Sequence, residues 1–228
     1  MEEPKSKEEA GAGKSTRPID TQLDQEPIRA DLMEVIERHS LGLDERRPEA
    51  VAKRREKNQR MIRENIKDLC DGHFTEYGAL AVAAQRERRS IEDLRSRTPA
   101  DGLIAGIGSV NGSLFSEDKA RCMIIAYDYT VLAGTQGFFG HKKKDRMLRL
   151  AHEQSLPVVL FAEGGGGRPG DVDASGVAVA GVDLTTFANF AKLSGKVPIV
   201  GIVSGRCFAG NAVLLGCCDV IIATKNTN

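Results

Sequence analysis

Leu156 to Asp171 read LPVVLFAEGGGGRPGD, an apolar strand-like run that leads straight into Gly164, Gly165, Gly166 and Gly167, followed by Arg168. Neither a helix nor a strand interior gains from such a run, because glycine loses the most backbone entropy on ordering. What it does provide is a row of unshielded N–H groups that a ligand can approach closely. Just past a strand end, those donors suit a bound anion or a developing oxyanion.

A second unit, Val197 to Thr224, repeats the plan: an X-Pro entry, an apolar strand, a glycine-containing turn and a helix. Its turn is Gly205-Arg206-Cys207-Phe208-Ala209-Gly210-Asn211, and Ala212 to Cys217 read as the first turns of the helix. Free N–H groups at a helix start carry partial positive charge and attract anions. Two neighbouring strands ending in donor-rich turns can aim at one point. That geometry stabilises an enolate or tetrahedral oxygen without any particular side chain.

Other chemistry-bearing residues are weaker candidates. Gly11-Ala12-Gly13-Lys14-Ser15-Thr16 imitates the end of a phosphate-binding loop, but Glu8 stands where its first glycine belongs and no strand precedes it. His39, His73, His141 and His152 form no metal-spaced cluster. His152 reads as a helix-surface residue, and His141 as a solvated helix start beside Lys142, Lys143 and Lys144. Ser204 has no histidine base in the usual spacing. Glu163 could act as a base, but it reads more naturally as an acceptor of backbone N–H bonds or a partner of Arg168. Five cysteines without CxxC spacing form neither a zinc signature nor a disulfide framework.

Elements to hold these turns are readable. The net charge of zero argues against a nucleic-acid binder or polybasic membrane protein, and no apolar run reaches membrane-span length. The polar start resembles no leader peptide, so a cytoplasmic location is expected. Of the 64 charged residues 41 lie in the first 100 positions, whereas 19 of the 24 glycines lie between Gly102 and Gly216. The division is therefore a disordered polar tail at 1–26, a helical extension at 27–100 and an α/β core at 101–228. Ile28 to Arg38 has helical spacing, with Pro27 suited to the first helical position. Glu49 to Leu69 reads as one longer helix, its Lys53–Arg63 basic cluster a solvated face. Asn111-Gly112 signals a primed-turn hairpin. Cys122–Ala126 and Val158–Phe161 read as buried strands. His141–Gln154 is amphipathic with Met147, Leu148 and Leu150 inward, and Asp183 is a plausible N-cap for a helix to Leu193.

Taken in order, these segments resemble the N-terminal half of the carboxyltransferase domain of biotin-dependent acyl-CoA carboxylases, from about Arg47 to the C-terminus. Asp71-Gly72-His73-Phe74-Thr75-Glu76-Tyr77 is similar to the family's "GSFxEY" segment, and Asp101-Gly102 with Val110-Asn111-Gly112 to its "GDG…G…ING" hairpin. Asp128-Tyr129-Thr130-Val131 with Gly134 is similar to "DFTVxGG". Glu163–Arg168 falls where members have "DSGGAR", and Gly205–Ala212 where they have "GPCAGGA".

The resemblance implies a crotonase-type α/β spiral of ββα units. It also implies transfer of a carboxyl group from carboxybiotin to the α-carbon of an acyl-CoA, and no metal in this chain. It places the oxyanion donors at Gly166, Gly167, Ala209 and Gly210, and acyl-CoA contacts at Gly165 and Arg168. Lys142, Lys143, Lys144 and Arg146 are candidates for the CoA phosphates by charge and position. The implied partners are a C-terminal carboxyltransferase half, biotin carboxylase and biotin carrier subunits or domains, and further copies of the completed chain. Gly164, Gly167 and Asn211 depart from the family pattern. An enoyl-CoA hydratase of the same fold would need carboxylates within Ala212–Cys217, and there are none. A CoA-binding or subunit-pairing fragment without catalysis is the remaining alternative.

Overall fold

The computed structural model of the protein describes residues 28–71, 73–173, 184–225 and 227. The 1–26 tail, the Gly11–Thr16 motif, Pro27 and Asp183 lie outside them.

The organising element is a sheet of six strands in the order β1 (Phe74–Glu76), β2 (Leu103–Ser109), β3 (Arg121–Tyr127), β4 (Val158–Phe161), β6 (Ile199–Val203) and β8 (Val220–Ala223). β1, β2 and β3 pair antiparallel, and β3, β4, β6 and β8 pair parallel. Two further strands among the described residues, β5 (Gly164–Gly165) and β7 (Cys207–Phe208), form a separate parallel ladder past the ends of β4 and β6.

Alternation along β3 shows why the sheet is covered on both sides. Successive side chains of a strand point to opposite faces. Met123, Ile125 and Tyr127 pack with Leu148 and Ala151 of α6 (Phe138–Gln154), Phe190 of α7 (Thr186–Ala191) and Leu214 of α8 (Ala209–Gly216). Cys122, Ile124 and Ala126 face the other way, onto Ile62 and Ile66 of α3 (Ile62–Leu69). Both faces are therefore apolar, and the strands read as continuous hydrophobic runs. His141–Gln154 is inside α6 as expected, with Met147 and Leu148 buried and Leu150 packed at the margin.

The front of the chain departs from expectation. The helix foreseen over Glu49–Leu69 is two helices, α2 (Pro48–Arg55) and α3, because Asn58 turns left-handed (φ 52) between them. Glu64 starts α3 anew, its Oε2 accepting the Met61 N–H at 2.7 Å. The helix read over Ile28–Arg38 forms two residues later, as α1 (Ala30–Ser40), and buries none of its residues. The short α4 (Ile91–Arg97) completes the extension, which also lends β1 to the main sheet. Asn111 takes the positive φ of 56 that a primed turn needs. The β2–β3 connection is nevertheless a longer loop carrying α5 (Glu117–Ala120), so the tight two-residue hairpin is not what forms.

Candidate functional site: two backbone donor turns and the polar chain that joins them

β4 ends at Phe161 and its glycine run enters β5; β6 ends at Val203 and its turn enters β7 and then α8. The β5–β7 ladder makes these two turns immediate neighbours. Gly164 N donates to the Arg206 carbonyl at 2.7 Å. A Cβ on Gly166 would lie 2.7 Å from the Ala209 Cβ, so only glycine permits this approach. Gly164 has φ 136, and a side chain there would strike the Gly134 backbone. Glycine is required for contact between backbones here, not for a flexible loop.

The donors are not the four foreseen. Gly166 is withdrawn as an oxyanion donor: its N–H already donates to the Phe208 carbonyl at 3.3 Å. The N–H groups of Gly167, Ala209 and Gly210 have no partner among the described residues. Gly167 is exposed, and a Cβ on it would meet nothing within 4 Å. Gly165 is half-buried between the turns. Ala209 holds φ 48, a strained conformation for alanine, at the first residue of α8.

Several expected ligand contacts are internal braces instead. Arg168 is 9% exposed, its guanidinium hydrogen-bonded to the Asp101 carboxylate, the Asp101 carbonyl and the Thr135 carbonyl. It therefore anchors the turn and is not presented to substrate. Asp101 also accepts the Gly140 N–H at 2.6 Å, and Asp171 the Phe138 N–H at 2.8 Å, so carboxylates already fill the N-terminus of α6. Burial pushes the Asp101 carboxyl above its ordinary range, with the Arg168 charge pulling it back.

Lys144 is likewise withdrawn from the phosphate candidates. It is 1% exposed, with its ammonium bonded to the Tyr127 hydroxyl at 2.5 Å and the Gln136 Oε1 at 2.6 Å. Burial pushes its pKa down to about 7. Lys143 donates to the carbonyls of Gly78 and Ala100, and burial brings it to about 8. Lys142, over the Phe138 ring, and Arg146 stay exposed beside a cleft of about 830 Å³ that Lys143 and Arg149 also line.

Glu163 pairs with Arg54, not Arg168. The two form a bidentate ion pair at 2.7 and 2.8 Å, with both side chains below a tenth exposed. The Lys53–Arg63 cluster is thus not merely a solvated face: Arg54 reaches from α2 to the strand end that precedes the glycines. A second cleft, of about 700 Å³, opens beside it, lined by Arg46, Arg47, Lys53, Lys57 and Thr130. Neither cleft is lined by Gly167, Ala209 or Gly210.

His141 was expected at a solvated helix start; it lies inside α6 and is 8% exposed. The Thr186 hydroxyl, which donates to Asp145, takes the His141 Nδ1 contact at 2.8 Å. Burial foremost, then the nearby Lys144 charge, pushes its pKa down to about 3. The unfolded chain, with histidine near 6.5, binds this proton where the folded chain does not, so stability rises with pH between about 3 and 6.5. Acidifying from pH 7 to 5 is therefore expected to remove on the order of 2 kcal/mol through this group. Denaturant unfolding of His141→Gln should show a flatter pH dependence in that window; an unchanged slope would refute the assignment.

Sequence reasoning missed Gln136 and the role of Asn211. Gln136 Nε2 donates to Asn211 Oδ1 at 2.8 Å, and Asn211 Nδ2 to the Gly134 carbonyl at 3.1 Å. A single Gln between Thr135 and Gly137 in a loop carries no spacing signal. Only the departure of Asn211 from the resembled "GPCAGGA" pattern hinted at it.

A mixed sheet extended by repeated strand–turn–helix units, with backbone donor turns beyond its strand ends, defines a crotonase-type fold. The chain belongs to the carboxyl transferase domain family, whose pattern matches residues 53–228. It is 29% identical, over 87% of its length, to the methylmalonyl-CoA carboxyltransferase 12S subunit of Propionibacterium freudenreichii subsp. shermanii. It is 30% identical, over 73% of its length, to the mitochondrial methylcrotonoyl-CoA carboxylase beta chain of Dictyostelium discoideum. The chain spans 34% and 26% of those two proteins respectively. Among solved structures, a single-chain, multi-domain long-chain acyl-CoA carboxylase superposes with a TM-score of 0.83 at 60% identity, over 89% of this chain and 20% of that one. Among the described residues no helix is long and apolar enough to cross a membrane.

Proposed function

We propose that this chain forms the acyl-CoA-binding half of a carboxyltransferase that moves a carboxyl group from carboxybiotin to the α-carbon of an acyl-CoA. The observation that carries this reading is that Gly167, and Ala209 with Gly210, present three backbone donors without partners among the described residues on adjoining turns. Such donors stabilise the thioester oxygen as charge develops on it, and they act without side-chain acid or base. Carboxybiotin, carried on a separate domain, supplies the carboxyl group and the acceptor for the α-proton. The exposed Lys142 and Arg146 are the positions assigned to the CoA phosphates. Both named relatives act on branched acyl-CoA thioesters and the structural neighbour on long-chain ones, which supports an acyl-CoA substrate.

The complementary half of the site, the biotin carrier and biotin carboxylase are the proposed partners, in an oligomer of the completed protein. Five free cysteines, two of them buried, support a reducing cytoplasmic setting.

Titration calorimetry with acyl-CoA tests the binding step; no heat at millimolar ligand would sink the reading. Lys142→Glu with Arg146→Glu should weaken affinity about tenfold or more, each position being worth on the order of 1 kcal/mol at a phosphate. Carboxyl transfer is then measured with and without the C-terminal half, and is expected only with it.

A further inference from the structure

Gln136 stands where the two donor turns meet, and it grips both. Its backbone N–H donates to the Gly166 carbonyl at 2.7 Å, and its carbonyl accepts the Arg168 N–H at 3.1 Å, so its main chain is bonded along the first turn. Its side chain crosses to the second, donating from Nε2 to Asn211 Oδ1 on α8. That amide lies so close to the start of α8 that a Cβ on Gly210 would be 2.6 Å from Nε2. On the other side, Lys144 reaches from α6 to the Gln136 Oε1 and to Tyr127 of β3. Gln136, Asn211, Lys144 and Tyr127 are all 6% exposed or less.

We propose that Gln136 is a positioning residue that fixes the spacing between the Gly167 donor and the Ala209–Gly210 donors, with Lys144 and Asn211 locking its amide in place. The inference rests on the oxyanion reading above. The physical reason is that the β5–β7 ladder is only two residues long on each strand. So short a ladder cannot hold two turns to a few tenths of an ångström. A buried side-chain chain in which each polar atom has a partner can, because few arrangements keep all of those partners. Both amide functions of Gln136 are used in opposite senses, as acceptor toward Lys144 and donor toward Asn211. A carboxylate or an apolar residue at this position cannot reproduce that.

The test uses Gln136→Leu, Gln136→Glu and Asn211→Ala in the chain assembled with its C-terminal half. Misplacing a reacting group by about 1 Å costs on the order of a hundredfold in rate. Gln136→Leu should therefore lower kcat by about tenfold to a hundredfold while KM for acyl-CoA stays within about twofold. Gln136→Glu keeps the Lys144 contact, loses the donor to Asn211, and should not recover the rate. Asn211→Ala should cost a similar amount, and its combination with Gln136→Leu little more, because the two act as one unit.

Hydrogen exchange gives a readout that needs no activity. Gln136→Leu should speed exchange at Gly164, Gly166 and Arg168, whose N–H groups are bonded between the turns and to Gln136, and leave β3 and β4 unchanged. Unchanged exchange at those three amides, a kcat within about twofold of the parent, or additive losses would each overturn the proposal. If the parent assembly transfers no carboxyl group, the functional reading falls, and the exchange result still decides whether Gln136 couples the turns.

Discussion

Gly167→Val is expected to abolish carboxyl transfer and to leave the fold intact. The substitution is sterically silent inside the protein, since a Cβ at this position meets no atom within 4 Å and the backbone is not in the left-handed region. The side chain instead projects from the exposed edge of the first turn, where the proposed reading seats the thioester oxygen. Valine keeps the backbone N–H but bars the oxygen from it, and forfeiting one donor of this type lowers kcat by about a hundredfold to a thousandfold. Rates from carboxybiotin with the C-terminal half supplied, beside the thermal unfolding midpoint, give the answer. Full activity at an unchanged midpoint would refute the assignment of the oxyanion to this turn. The bulkier residue is the informative choice, because Gly167→Ala would leave room for the ligand to shift.

The largest expected effect on stability comes from Arg54→Met. Arg54 and Glu163 are both buried, and the guanidinium meets both carboxylate oxygens. Removing the arginine leaves a buried carboxylate without its counter-charge. Breaking a buried pair this way costs about 3–5 kcal/mol, whereas replacing both partners with apolar residues is close to neutral. For a chain of this size each kcal/mol is worth about 2–4 °C, so the midpoint should fall by roughly 10 °C. The double variant Arg54→Met, Glu163→Met should recover most of it. A single variant within about 1 kcal/mol of the parent would show that water reaches the pair and that the N-terminal extension is not fastened there.

Both predictions depend on contacts of very different legibility. The four glycines announce themselves, because only a close backbone approach or positive φ justifies them, and the structure shows both reasons, at Gly166 and Gly164. β4 lies at Val158–Phe161 as the apolar run indicated, and β3 extends the reading by a residue at each end. The pairing of Glu163 could not be read, since its partner lies 109 residues away on a helix whose other basic residues face water. Spacing alone favoured Arg168, five positions on, which instead serves Asp101. Lys144 shows the same limit. Three consecutive lysines on a helix point about 100° apart, so one of them faced the core while Lys142 faced solvent.

The sequence by itself determined the α/β class of the core, the repeated strand–turn–helix unit and the place of the glycine run after a strand. These are local properties, set by periodicity, backbone entropy and steric allowance within a few residues. Only the tertiary structure decided which N–H groups remain available, which charges are buried and what holds the two turns together. Gly166 spends its donor on Phe208, Arg168 and Lys144 turn inward, and Gln136 bridges to Asn211. Each of these outcomes depends on a partner brought close by the sheet. A buried polar group must find such a partner wherever the chain supplies it, and composition does not encode the address.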